Sequence, residues 1–489
     1  MKQSQRIVKN ALSGVVAEVA GGLLHLVTLL LIARTVSVDE FGTFSFIAAF
    51  AGIFQLLADF GLSNILTREM TTKRNAVPTL LAAAKSLIWI LSGAAAGVMI
   101  LVVAFLGLSP EVKALTIVMG LAALTLFHSA GYTAVFRAYE EMEYNALGYI
   151  LHKLLLLALV YGGLKAGLGL WGIIPAFLIA NVLLWFFYYW LIRLRYTRPR
   201  MTLNPPLWKS LLRAAVPLGG GMVLRQAAWQ VDILMLTWLA GVGAVGLFSG
   251  PYRILMAFNL LPLVLALPLF PMYARLGRED PSRFRQAVER GFKFFCLLSF
   301  PAATGFMILA EPLVIHLLGM KYAASVPVLQ LLSIALVPLF ASTLFPFVFT
   351  AIGLQRLFLW TVGAGLILRI LLNLILIPFF GYLGACLSVV LSETAVLGMG
   401  IVALRQSGNP LRLGRILWRP MVGSLVMGIV LYLTQGLPIA WGVAGIGLAG
   451  LLYLGVLFGL KTFSDEEVRL VREGLSFLKP SVMQKAGKL

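Results

Sequence analysis

The sequence predicts an all-α polytopic membrane protein, and three observations lead to this fold class. Of the 489 residues, 60% are hydrophobic and only 12% are charged, whereas charged residues make up about 25% of a typical soluble protein. Apolar runs of about 20 residues, the length that crosses a bilayer as a helix, recur along the whole chain. The loops between these runs alternate between strongly basic and nearly uncharged.

Fourteen transmembrane helices are predicted, and they are numbered here as spans 1 to 14. Their expected positions are 11–34, 41–64, 79–106, 113–136, 147–165, 170–192, 214–238, 246–272, 292–318, 327–352, 358–380, 383–404, 418–435 and 441–460. The basic N-terminus leads into span 1 without a small-residue cleavage site. This segment is therefore expected to be the first helix and not a removed signal peptide.

The charges of the loops predict how the chain is oriented. Of the 39 Lys and Arg residues, 30 lie at the termini or in the loops after even-numbered spans, which together form the basic face; four lie in the loops of the opposite face. The positive-inside rule therefore places both termini in the cytoplasm. This topology also accounts for the net charge of +20, so membrane lipids are expected partners and nucleic acid is not.

Short motifs recur in the same order and predict an internal repeat. "FGTFS" (41–45), "AVFRAYEEME" (134–143) and "GLWG" (169–172) are matched by "VGLFS" (245–249), "FVFTAIGLQR" (347–356) and "GYLGA" (381–385). Two six-helix bundles of the same orientation are therefore expected, an N-terminal lobe over 1–195 and a C-terminal lobe over 196–404, with spans 13 and 14 appended over 405–460. Transporters built from parallel repeats bind their substrate between the two halves.

The loops are too short for a soluble catalytic domain. The sequence contains no P-loop, nucleophile elbow or HExxH motif, and its two cysteines, Cys296 and Cys386, imply neither a disulfide framework nor a metal cluster. The protein is therefore expected to be no enzyme and to hold no metal cofactor. Two stretches of the basic face are expected to be amphipathic helices on the membrane surface: 278–291 with Asp280 as N-cap, and 464–479 within the cytoplasmic amphipathic tail over 461–489.

Three stretches resemble the Wzx-type polysaccharide flippases of the multidrug/oligosaccharidyl-lipid/polysaccharide exporter superfamily. They are "ARTVSVDEFGTFSF" (33–46), "GMKYAASVPVLQLLSIA" (319–335) and "LNLILIPFFGYLGACLS" (372–388). The 6+6+2 arrangement of helices is similar as well, so the resemblance covers about residues 5–460.

This resemblance implies a flippase of the bacterial cytoplasmic membrane. It would move undecaprenyl-pyrophosphate-linked oligosaccharides, such as O-antigen units, to the periplasmic leaflet by alternating access, with other polysaccharide-assembly membrane proteins as partners. A cation-coupled multidrug antiporter of the same superfamily is the main alternative, although arginines in the cavity would repel organic cations. A membrane-embedded glycosyl- or acyltransferase would need catalytic acids or a histidine in a sizeable loop, which the sequence lacks.

Charged residues inside the spans are the candidate site, because an ionised side chain in the bilayer core costs on the order of 3 kcal/mol or more. On span 7, Arg225, Trp229 and Asp232 are spaced i, i+4, i+7, which predicts one shared face. Gln226 and Gln230 lie beside it. Arginine binds phosphate oxygens, amides bond hydroxyl groups and an aromatic ring stacks on a sugar. An Arg225–Asp232 ion pair within the helix is the structural alternative.

Two further arginines complete the predicted substrate-binding set, which is Arg225, Arg253, Gln226, Trp229, Gln230 and Arg369. Arg253 lies near the start of span 8. Arg369 lies near the middle of span 11, where pairing with Glu393 of span 12 is a purely structural alternative. Lys85, close to the basic end of span 3, is expected to extend towards the lipid headgroups.

Asp232 and Asn373 are the predicted ion-coupling residues. Both lie about 23–24 Å from the basic end of their spans at ~1.5 Å per residue. A distant resemblance to the lipid II flippases implies a sodium ion held by an acid on span 7 and by polar groups on spans 11 and 12. Ile377 stands where the second acid of that pattern would lie, so sodium and proton coupling both stay open. His25 on span 1 is either a proton carrier or a hydrogen-bonded core histidine.

Overall fold

The computed structural model describes residues 3–266, 269–434 and 439–463, which form helices and contain no strand within those ranges. Spans 1 to 6 comprise Gln3–Thr35; Val38–Asp59 with Leu62–Thr72; Val77–Phe105; Pro110–His128 with Ala130–Ala138; Met142–Lys165; and Gly169–Arg195. Spans 7 and 8 comprise Pro205–Phe258, Leu260–Ala266 and Leu269–Glu279. Spans 9 to 14 comprise Pro281–Ile308 with Ala310–Leu318; Val326–Ile334 with Leu336–Ser342 and Phe345–Ala351; Gln355–Phe380; Tyr382–Gln406; Leu413–Thr434; and Ile439–Gly459.

The helices confirm the predicted fourteen-span architecture. Twelve helical stretches of the described residues are long and apolar enough to cross a membrane. One of them, Val223–Ala266, contains Gly241, whose φ of 84° and ψ of 170° interrupt the helix and separate spans 7 and 8. The shorter apolar helix Ala444–Gly459 belongs to span 14 and completes the set.

Helix caps explain where two of the spans begin. Ser37 and Glu40 form a reciprocal capping box at the start of span 2, with N···O distances of 2.8 and 3.1 Å. Asp280 accepts hydrogen bonds from the backbone of Ser282 and Arg283 and caps span 9. The expected surface helix over 278–291 is therefore wrong, because the helix from Pro281 continues without interruption into span 9. The predicted tail helix over 464–479 lies outside the described residues.

Matching interruptions in the two halves support the parallel repeat. Span 2 breaks at Phe60 and Gly61, which have φ values of 35° and 83°, and span 8 breaks after Phe258. Span 4 breaks at Ser129, and its counterpart span 10 breaks at Ala335 and again after Ser342. The second and fourth spans are thus segmented in each half, whereas spans 5, 6, 11 and 12 are each one continuous helix. Span 9 has a further break at Leu309 that its counterpart span 3 lacks.

The two halves approach closely on the opposite face. The Cα of Gly42 at the start of span 2 lies so near the carbonyl oxygen of Val242 that a Cβ would overlap it. The amine of Lys321 donates to the carbonyl of Arg34 at 3.0 Å and also to that of Val36, both at the end of span 1. A lysine there complements the negative end of the helix dipole and occupies otherwise free carbonyls.

Spans 13 and 14 pack on the outside of the C-terminal half. Met427 and Leu431 of span 13 and Tyr453 of span 14 form an apolar cluster with Leu297 of span 9. The Tyr453 hydroxyl also donates to the Leu297 carbonyl at 2.7 Å. The appended pair therefore contacts the bundle through span 9 and leaves the space between the two halves to spans 1 to 12.

Candidate functional site

A cavity of about 420 Å³ lies between the two halves of the molecule. Spans 1, 2 and 5 form one wall, and spans 7 and 8 form the other. Four residues of the predicted substrate-binding set contribute to it: Gln226, Trp229, Gln230 and Arg253. A cavity of this size with a few convergent polar groups among apolar ones has the character of a small-molecule binding site.

Span 7 divides its polar residues between two environments. Gln226, Trp229 and Gln230 face the cavity together with Ile233, whereas Arg225 faces a small void towards spans 11 and 12. The expectation that Trp229 shares a face with Arg225 and Asp232 is therefore wrong. At 100° per residue, Trp229 is 40° from Arg225 and 60° from Asp232 around the helix axis. Because spans 11 and 12 pack closely against span 7, this angle is enough to place Trp229 on the cavity and Arg225 on the side of spans 11 and 12.

Arg253 joins the two halves at the end of the cavity nearest the opposite face. Its Nη2 donates to the hydroxyl of Ser45 on span 2 at 3.3 Å. The guanidinium lies 5.7 Å from the ring centres of both Phe41 and Phe44, a distance at which a cation is attracted to an aromatic face. Its Nε is buried without a hydrogen-bond partner, so Arg253 retains a donor for a ligand.

The wall from span 1 contains two titratable residues that the predicted set omits. Glu18 and His25 line the cavity beside Gly22, and the buried Nδ1 of His25 has no hydrogen-bond partner. Tyr149 of span 5 also lines the cavity, and the Lys153 amine lies 5.4 Å from its ring centre. The i, i+4, i+7 spacing of these span 1 residues is the sequence signal that indicates this face.

A second polar group, here called the buried cluster, consists of Asp232, Arg369, Asn373 and Glu393 and lies inside the C-terminal half. Arg369 donates to Asp232 at 3.0 Å and to Glu393 at 3.1 Å. Asn373 donates to the same Asp232 oxygen at 2.9 Å. All four residues are at most 7% exposed. The structure therefore brings Asp232 and Asn373 together, and the Arg369–Glu393 pair that the sequence left open is present.

Arg369 and Arg225 lie outside the cavity lining. The Arg369 guanidinium is held by two carboxylates at a site that is 2% exposed. Arg225 donates to the hydroxyl of Ser342 on span 10 at 3.2 Å, so the Arg225–Asp232 pair considered as an alternative does not form. For both arginines, direct substrate binding remains a prediction that requires a different arrangement of the spans.

The buried cluster carries unsatisfied oxygens. Asp232 Oδ2 and Asn373 Oδ1 are buried and have no hydrogen-bond partner. With both carboxylates ionised, the cluster holds two negative charges and one positive charge, and a buried uncompensated charge is costly. A single proton on a carboxylate would restore neutrality and supply a donor. No group of three or more His, Cys, Asp or Glu residues suited to a metal ion occurs in the described part of the chain.

The chain is similar to known proteins of polysaccharide biosynthesis. The model of the polysaccharide biosynthesis protein family matches residues 7–276. The lipopolysaccharide biosynthesis protein WzxC of Escherichia coli is 22% identical over 64% of this chain and 63% of its own length. The probable flippase AglR of Haloferax volcanii is 25% identical over 59% of this chain and 60% of its own. The matches thus span less than two thirds of either relative.

Solved structures share the fold over most of the chain. The lipid II flippase MurJ in an inward closed conformation superposes with a TM-score of 0.71 at 16% identity and covers 92% of this chain and 98% of its own. An inward-facing multidrug resistance transporter of the MATE family gives a TM-score of 0.68 at 17% identity, with 79% and 94% covered. At these identities the likeness establishes the fold.

Proposed function

The chain belongs to the polysaccharide biosynthesis protein family, and on that premise we propose that it is a flippase for lipid-linked oligosaccharides. The substrate class is an undecaprenyl-pyrophosphate-linked glycan that moves from the leaflet at the basic face to the other leaflet. The names of two relatives, a lipopolysaccharide biosynthesis protein and a probable flippase, support a flippase in polysaccharide biosynthesis. The termini then lie in the cytoplasm, and other membrane proteins of polysaccharide assembly are expected partners.

One observation carries the proposal, namely the chemistry of the cavity between the two halves. Arg253 offers a buried, unpartnered Nε to a phosphate oxygen, and Gln226 and Gln230 offer amides to sugar hydroxyls. Trp229 supplies an aromatic face on which a sugar can stack. Cation, amides and indole in one cavity match the two parts of a pyrophosphate-linked glycan, its charge and its hydroxyl-rich rings.

The contacts between the halves support alternating access. Gly42 against Val242, Lys321 against the end of span 1, and Arg253 against Ser45 all lie towards the opposite face. The cavity is thus closed on that side by direct contact between the halves. Transport would require these contacts to separate while the basic-face ends of the same lobes approach each other, which is the rocking motion of parallel-repeat transporters.

Glu18 supports a second candidate, a multidrug antiporter. This carboxylate lines the cavity and remains exposed, so it could attract an organic cation. Arg253 opposes that role because it places a positive charge in the same cavity. The flippase remains the better-supported function, since both the family membership and the arginine in the cavity favour an anionic lipid-linked glycan over an organic cation.

We also propose that transport is coupled to protons through the buried cluster. A sodium ion on Asp232 Oδ2 would stand close to the Arg369 guanidinium, which already lies 3.0 Å from Oδ1 of the same carboxylate. Like charges at such separations repel strongly in a dry interior. A proton occupies less space than a sodium ion. On Asp232 Oδ2, which has no hydrogen-bond partner, it would form a hydroxyl that can donate to a neighbouring acceptor.

The flippase proposal is tested with purified protein in liposomes that carry a fluorescent undecaprenyl-pyrophosphate oligosaccharide. A membrane-impermeant reagent that quenches the outer leaflet reports how much label has crossed. Protein-dependent crossing of this lipid, and none of a phospholipid with the same label, is the expected result. Ethidium efflux without crossing of the glycan lipid would contradict the flippase proposal and support the antiporter.

A further inference from the structure

A second, smaller cavity opens on the side of the N-terminal half, between spans 3, 4 and 6. It measures about 270 Å³ and is here called the lateral groove. Apolar residues form most of its lining, among them Ala96 of span 3 and Leu121 and Leu124 of span 4. Trp89 at its edge is 48% exposed and packs against His128 with the two rings tilted and their centroids 4.4 Å apart. The groove shares no lining residue with the central cavity.

A buried cation lies next to the lateral groove, outside its lining residues. Lys85, one helical turn before Trp89, is only 9% exposed. Its amine lies 5.9 Å from the ring centre of Tyr132 and 5.4 Å from that of Tyr189. No carboxylate or other hydrogen-bond acceptor contacts this amine among the described residues. A lysine inside a span without a counter-charge is costly and leaves its donors free for an anion.

A second polar group in the lateral groove also lacks a partner. Ser92 lines the groove at 5% exposure, and its hydroxyl is buried without a hydrogen-bond partner. Other serines and threonines of the spans, such as Thr116 and Thr125, donate to the carbonyl one turn earlier. Ser92 lacks this bond, as do a few other buried hydroxyls such as those of Ser249 and Ser424. Its position in the groove lining allows it to bind a polar atom that enters there.

The depth of the cation fits the headgroup layer of one leaflet. Tyr132 and Tyr189 each lie six residues before the end of their helix at the basic face, or about 9 Å from it at ~1.5 Å per residue. A headgroup layer is about 6 Å thick, so the Lys85 amine lies near its inner boundary. The groove then continues from this point towards the middle of the bilayer, in the direction that an acyl chain takes.

We propose that the lateral groove binds one anionic phospholipid from the leaflet at the basic face. Its phosphate would contact the Lys85 amine, and one acyl chain would lie along Trp89, Gly93 and Leu121. Three observations on the molecule select this occupant: a cation that contacts aromatic rings but no carboxylate, the orphaned hydroxyl of Ser92 and the opening towards lipid. The separation from the central cavity makes the transported lipid a poor candidate, and the site is independent of the transport proposal.

Native mass spectrometry of the purified protein tests this site with phosphatidylglycerol and phosphatidylcholine of equal chain length. One phosphatidylglycerol should be retained with about fivefold preference, the effect of one lysine near a membrane surface. Lys85→Gln should abolish this preference. Gly93→Leu should lower retention of both lipids, because a Cβ at Gly93 meets no protein atom within 4 Å and a larger side chain would fill the groove.

Matched controls separate the site from general effects of charge and bulk. Gly162 on span 5 also has no atom within 4 Å of a Cβ position, so Gly162→Leu should leave retention unchanged. The exposed Lys209 lies on the basic face, so Lys209→Gln should preserve the preference. Equal retention of the two lipids by the parent, a preference that survives Lys85→Gln, or unchanged retention of both lipids in Gly93→Leu would overturn the proposal. Displacement of phosphatidylglycerol by undecaprenyl phosphate would assign the groove to the polyprenyl lipid instead.

Discussion

The guanidinium of Arg253 on span 8 donates to the hydroxyl of Ser45 on span 2 at 3.3 Å, which links the two halves of the molecule across the end of the central cavity. The same guanidinium has a free, buried Nε. A phosphate that accepted from both Nε and Nη2 would compete with the Ser45 hydroxyl for Nη2. We therefore expect ligand binding to weaken this contact between the halves, which would couple binding to opening through one side chain.

Replacement of Arg253 should therefore reduce glycan-lipid transport. Arg253→Ala is expected to lower the rate by about tenfold or more, since hydrogen bonds to charged groups are worth about 1.5–3 kcal/mol. Arg253→Lys should recover only part, because lysine lacks the planar fork that binds two phosphate oxygens. Initial rates in liposomes measure both effects. Ser45→Ala is the control that weakens the contact between the halves and keeps the cation; a parental rate in Arg253→Ala would exclude the role.

Gly42 permits the closest approach between the halves. A Cβ at this position would overlap the Val242 carbonyl oxygen, which is backbone and cannot move aside cheaply. Gly42→Ala should therefore keep the opposite face open. Single cysteines placed along the cavity wall, after replacement of the buried Cys296 and Cys386, should react faster with an impermeant maleimide from that side.

Gly97→Ala on span 3 is the matched control for Gly42→Ala. A Cβ at Gly97 meets no atom within 4 Å, and labelling should equal that of the parent. Slow labelling in Gly42→Ala, as in the parent, would show that the lobes close despite the added methyl group.

The sequence predicts the spans well and their contacts poorly. Apolar runs and loop charges locate all fourteen helices, because the bilayer imposes their length and composition. On span 7, Trp229 faces the cavity and Arg225 faces spans 11 and 12. This depends on which helix packs against each side of span 7, and helical periodicity alone does not show it. Depth along the spans does bring Asp232 and Asn373 together. Arg369 was expected to face substrate, since a single sequence does not show that two carboxylates surround it.

Arg369 should contribute strongly to stability. Arg369→Ala leaves Asp232 and Glu393 as buried carboxylates without their counter-charge, and breaking a buried ion pair in this way costs about 3–5 kcal/mol. The unfolding temperature in detergent should fall markedly, and Arg369→Ala combined with Asp232→Asn should recover part of the loss. Arg356→Ala, at an exposed position of the same helix, serves as the control. Equal unfolding temperatures for the two single variants would contradict this role.

Asp232 should determine the response of transport to a proton gradient. Its Oδ2 is buried without a partner, and the buried cluster has one more negative than positive charge when both carboxylates are ionised. A proton would neutralise the cluster while the lobes are in this arrangement, and its release would favour another arrangement in which the carboxylate meets water or a cation. Asp232→Asn keeps the size of the side chain and fixes its neutral form, so the movement of the lobes should no longer respond to the gradient.

In liposomes, an imposed pH difference should accelerate glycan-lipid transport by the parent and leave transport by Asp232→Asn unaffected. Ser388→Ala, a buried position whose hydroxyl donates to the Gly384 carbonyl, should respond like the parent. Acceleration of the parent by a sodium gradient but not by a pH difference would replace the proton with sodium, and an Asp232→Asn variant that still responds to pH would place the coupling elsewhere.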